Sequence, residues 1–209
     1  MKTYLMENEV VIDERQKARL WEYIAKLEQN KEKSVKDNFF DLYFSTTPCE
    51  ENGYKGFDYE KLCAMVLFFA QKSSELLKTK LMKLLNYSDM LFYKENGVSM
   101  SGLKYTHLPY GPVPEHFDIL FGKMSADHIA HIEVMYDNGY EKHQVISDCD
   151  MPKDILSDKE IQVLERIYVK FKDYGSVDIS NYSHKEKGYK STRPGEIISY
   201  AYAKDLQLN

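Results

Sequence analysis

The chain has 209 residues, 43% of them hydrophobic, with a formal charge of −5 and a sequence pI of about 5.7. That length carries one domain with a sizeable core plus an appendage, or two small domains, and the acidic balance argues against a general phosphate binder. No apolar run approaches a membrane span. Cys49, Cys63 and Cys149 make neither a CxxC pair nor an even disulfide set, so a soluble protein of the reducing cytoplasm is expected.

In chain order, Asp13 predicts the N-cap of a helix running to Asn30, with Leu20, Ile24 and Leu27 on one stripe and Trp21 beside it. A polar linker from Gln29 to Asp37 follows, then an aromatic segment of Phe39, Phe40, Leu42, Tyr43 and Phe44 and a loop from Pro48 to Gly56. Asp58 caps the next helix, whose Leu62, Met65, Val66 and Phe69 form a core stripe. Ser73 or Ser74 opens an amphipathic helix carrying Leu81, Leu84, Leu85, Ser88 and Phe92, and Gly97 is its left-handed stop. Pro109, Gly111, Pro112 and Pro114 fix a rigid turn into a helix over 114–123.

Asp137, Asn138 and Gly139 predict a hairpin turn between strands at 129–136 and 140–146, because Asn-Gly accepts the positive φ of a type I′ turn. Ser157 with Glu160 is a capping box before a helix presenting Ile161, Leu164, Ile167, Tyr168 and Phe171. Ser176 starts a short helix and Ser199 caps the last. Helices around one hairpin give a mainly α fold with a small antiparallel sheet.

Candidate chemistry is sparse. His184 and Glu186, with Asp178 and Asp89, offer metal ligands or an acid–base pair, yet an i, i+2 pair on a helix points to opposite sides. His128 and His131 lack a third ligand, and His107 and His116 flank the proline turn without partners of defined spacing. There is no nucleophile elbow, P-loop or dinucleotide fingerprint, and Ser101 to Tyr105, SGLKY, reads as a turn. No catalytic residue, metal or cofactor is therefore expected. The proline turn has a better claim to function, since Tyr105 and Tyr110 can present rigid aromatic surface on a preorganised loop.

Two separated stretches carry a family likeness: Lys83 to Pro114, KLLNYSDMLFYKENGVSMSGLKYTHLPYGPVP, and Tyr182 to Ala203, YSHKEKGYKSTRPGEIISYAYA. In that order they resemble the Panacea domain, the SocA-like antitoxin domain of bacterial and phage toxin–antitoxin pairs. The likeness runs roughly from Gly56 to Leu208, which divides the chain into a helical N-terminal extension, 1–55, and a compact helical Panacea domain, 56–209. Tyr189 stands where a tryptophan is more usual, and Ser88 where an alanine is.

The resemblance implies an antitoxin that binds and neutralises a protein toxin encoded next door and, as in SocA-like members, delivers it to a cytosolic protease such as ClpXP. MqsA-like relatives place zinc and helix-turn-helix parts before this domain; neither is recognisable here. The implied partner-binding residues are Tyr87, Asp89, Tyr105, Tyr110, His184, Glu186 and Tyr189. A DNA-binding autoregulator of the same operon is the alternative, on the strength of the hairpin, which also fits a winged helix, and the cluster Lys72, Lys78, Lys80 and Lys83. The negative charge makes nucleic-acid binding weak at best.

Overall fold

The computed structural model of the protein describes residues 46–137 and 139–208. The expected helix from Asp13, the linker and the aromatic segment lie outside the described residues, as does Asn138. In order come a 3-10 turn at Glu50–Asn52, α1 (Tyr59–Lys72), α2 (Lys78–Asn96), β1 (Tyr105–Leu108), β2 (Gly111–Pro114), α3 (Phe117–Ala126), β3 (Ala130–Asp137), β4 (Tyr140–Ser147), α4 (Asp158–Phe171), α5 (Ser176–Ser183), α6 (Lys187–Lys190) and a 3-10 helix at Tyr200–Asp205. The fold is mainly α with two small antiparallel hairpins, β1–β2 and β3–β4.

Several boundaries follow from local chemistry. Asp58 caps α1 by accepting from the Lys61 amide, and Leu62, Met65, Val66 and Phe69 are buried. Gly97 ends α2 at φ +78°, the left-handed region that favours glycine. Ser157 and Glu160 form the capping box of α4. Ser199 caps the closing 3-10 helix by accepting from the Ala201 amide. Asp137 pairs with Tyr140 at the end of β3–β4, as the Asn-Gly signal requires.

Three expectations need correction. First, α2 begins at Lys78 with Leu77 as its N-cap, not at Ser73 or Ser74. Leu76 is buried and its carbonyl receives the Val145 amide at 2.8 Å, so the chain before α2 is held extended against β4. Second, the proline turn is a hairpin: Tyr105 faces Pro114 and Leu108 faces Gly111. Pro114 therefore ends a strand, and the next helix starts at Phe117.

Two prolines fit in a strand because of phase. The Glu115 amide donates to the Lys104 carbonyl, while His107 and Tyr105 turn their backbone groups away, toward Gly195, Glu196 and Ile198. Pro112 and Pro114, opposite them, occupy positions whose N–H would point out of the pair, so the ladder loses nothing.

The third correction concerns α2. It is not amphipathic; every residue from Lys80 to Phe92 is buried, because α1, α4, α5, β2 and the closing 3-10 helix surround it. Leu81, Leu84, Leu85 and Met90 supply apolar core, each worth roughly 1.5–3 kcal/mol of burial. Lys80, Lys83, Asn86, Ser88 and Asp89 are interior as well. Buried polar residues are the informative ones, since each needs a partner or an explanation. Ser88 bonds its own helix at the Leu84 carbonyl, and Lys80 donates to the Lys172 carbonyl.

Candidate functional site

The β1–β2 hairpin exposes its tip, at 108–110, and is otherwise one of the most firmly supported parts of the motif region. Pro109 and Tyr110 form its tip, and Tyr110 is 74% exposed. Gly111 follows at φ +98°, and a Cβ there would meet Ser183 Oγ at 2.3 Å and Lys83 Cε at 2.6 Å. Only glycine lets the hairpin lie this close to α2 and α5. Beside the tip, Thr106, Leu108, Val113, Pro114, Phe117 and Ile119 line an open groove of about 420 Å³. Leu108 and Ile119 are exposed there.

The base of the hairpin hangs on Asp89. Its Oδ1 accepts from the Met100 amide at 2.8 Å and the Ser101 amide at 2.9 Å, and its Oδ2 from Ser101 Oγ and from Tyr105 Oη at 2.7 Å. Burial pushes the carboxyl above its ordinary value, with those hydrogen bonds pulling the other way. The SGLKY turn is thus wound around a buried carboxylate. Tyr200 closes the same cluster by donating to the Leu103 carbonyl at 2.9 Å.

The side of the hairpin rests on a three-ring stack. Tyr189 lies between His107, at 3.7 Å between ring centroids, and His184, at 4.5 Å. Its hydroxyl donates to the Leu108 carbonyl at 2.9 Å. His107 Nδ1 meets Thr192 Oγ1 at 3.0 Å, and the backbone of Pro109 hydrogen-bonds His184. Tyr87 Oη ties α2 to the C-terminal segment by donating to Glu186 Oε1 at 3.3 Å, and within that segment the Gln207 amide donates to Glu186 Oε2 at 3.2 Å. Burial raises the Glu186 carboxyl.

Of the seven expected partner-binding residues, Tyr110 alone is classed as exposed; His184 and Tyr189 are half-buried. Tyr87, Asp89 and Tyr105 have at most 1% of their surface accessible, so they offer a partner nothing to touch. Glu186, at 9%, is held by Tyr87 and Gln207. These four are corrected from contact residues to supports. Leu108, at the end of β1, and Ile119, on α3, were not singled out by sequence reasoning, since an apolar residue on a strand or helix carries no signal that tells surface from core.

The other constellations do not converge. Asp178 accepts from the Gly175 amide, His131 pairs with Asp148 at 2.8 Å, and His116 and His128 sit at left-handed turns. Among the described residues no group of three or more His, Cys, Asp or Glu is placed to hold a metal. The lysine cluster is also spent: Lys72 pairs with Glu165 and Lys78 with Asp118, while Lys80 and Lys83 are buried.

A family model for the SocA-like antitoxin, Panacea domain, matches residues 81–190. The chain belongs to this family. Its matched region runs from within α2 to the end of α6, so the Panacea segment holds the hairpin, the Asp89 cluster and the ring stack. Tyr200, which seals that cluster, lies beyond the match. No curated protein and no solved structure matches the chain.

Proposed function

We propose that this Panacea protein neutralises a cognate protein toxin by direct binding, through the hairpin tip at Tyr110 and the adjoining groove of Leu108 and Ile119. The observation that carries the reading is a solvent-facing aromatic on a frame fixed from three sides, by Asp89, by Tyr189 and by the close approach at Gly111. A rigid tip avoids ordering entropy on association, and a tyrosine beside an apolar groove has the make-up of an interface hot spot. The division into an extension, 1–55, and a Panacea domain, 56–209, belongs to the same proposal, with the extension adding toxin-specific contacts. Delivery of the bound toxin to a cytosolic protease is a further step for the complex.

Co-expression with the neighbouring gene tests it. The expected result is rescue of growth and co-purification of the two products. A neighbour that is harmless alone, or that stays toxic beside soluble antitoxin, overturns the reading. The alternative of DNA autoregulation finds little support in lysines that are paired or interior; promoter binding should be weak and steeply salt-dependent.

A further inference from the structure

Lys83 sits under the hairpin that carries Tyr110. It is 1% exposed, and its Nζ has no hydrogen-bond partner. Its Cε would be 2.6 Å from a Cβ on Gly111. The polar groups around it offer no compensating negative charge. From the C-terminal end of α5 come Ser183, whose hydroxyl donates to the Ser180 carbonyl, and His184, whose Nε2 is buried without a partner. From β1 comes His107, whose charge, like that of Lys83, disfavours protonation of His184. On α2 itself Lys80 and Tyr87 lie about one turn away, engaged with Lys172 and Glu186. Asp89 and Glu186 are committed elsewhere, and among the described residues no carboxylate forms an ion pair with Lys83.

We propose that the hairpin is seated by a proton-sensitive latch: Gly111 packs most firmly on Lys83 while that amine is neutral, and uptake of a proton weakens this seat and favours lifting of the hairpin. An ammonium stripped of water with no acceptor is far costlier to bury than an amine. Burial alone pushes Lys83 from 10.5 down to about 7. Once lifted, the amine meets water and regains its ordinary basicity, so lifting takes up a proton between about pH 7 and about 10.5. Lifting becomes about tenfold easier for each pH unit lost in that window and levels off below it. His184, held below its ordinary value by burial and then by Lys83 and His107, extends the same trend to lower pH.

The latch rests on the proposed function only in making the hairpin the toxin-binding element; its chemistry is tested on the unbound full chain. The Lys83 ¹⁵Nζ resonance of the wild type should titrate near pH 7. The melting temperature of wild type should rise from pH 7 to pH 9 relative to that of Lys83→Met, which should be the more stable at pH 7. Cys63, pushed up to about 12 by burial, and the buried tyrosines act in the opposite direction only above about pH 9. A Lys83 resonance titrating near 10, or parallel melting profiles for the two proteins, overturns the latch; the resonance decides alone if the variant does not fold. If the latch holds in the free chain and no toxin binds, the binding reading falls and the latch stands.

Discussion

Tyr105 Oη donates to Asp89 Oδ2 at 2.7 Å across sixteen residues of chain, inside a core with no measurable exposure of either side chain. The bond pins the first residue of β1 to the middle of α2. Asp89→Asn should lower unfolding stability by about 2–4 kcal/mol, because an amide cannot accept from all four donors and brings a donor of its own. Tyr105→Phe should lower it by about 1–2 kcal/mol. Urea titrations check both, and the double variant should lose less than the sum, since the two changes break one shared bond.

Gly111→Val should prevent folding or destabilise the chain by more than about 3 kcal/mol. The β-branched side chain enters a left-handed backbone region and clashes with Ser183 and Lys83. Soluble yield and melting temperature report it; wild-type stability would mean that the hairpin is not seated as described.

Tyr110→Ala should leave the melting temperature almost unchanged and weaken toxin binding by about 1–3 kcal/mol. Calorimetry or surface-binding measurements on the purified pair provide the number. A variant that binds like wild type removes the tip from the interface, and one that unfolds early reassigns the ring to the core.

Tyr189→Ala should affect both quantities. It removes the ring between His107 and His184 and the bond to Leu108, for a loss of about 1–3 kcal/mol in stability and a looser tip. Tyr189→Trp keeps the stack but not the hydroxyl, so it should recover most of the stability.

Features encoded by neighbouring residues were legible in the sequence. Asp58, Gly97, the Ser157–Glu160 box and the turn between Asp137 and Tyr140 each act within a few residues. The β1–β2 hairpin was hidden because its two-residue loop, Pro109–Tyr110, lacks the Asn-Gly code: Tyr110 avoids positive φ, and the left-handed step falls one residue later, on Gly111. The start of α2 depended on Leu76 reaching β4, a contact made across about seventy residues. The burial of Lys80 and Lys83, and with it the loss of a basic face, came from enclosure by distant elements. For the same reason aromatic and acidic residues chosen as contacts, Tyr87, Asp89 and Tyr105, lie buried in the frame while Tyr110 is exposed.

Pro112 and Pro114 leave the edge of β2 away from β1 without amide donors at those two positions. Both prolines are buried where β2 packs against α2, so the edge that lacks donors faces the core and leaves no unpaired amide there. Shape and surface are thereby separated: the prolines, Gly111 and the buried supports keep the loop in one pose, while the exposed side chain at its tip, Tyr110, can be exchanged without disturbing them.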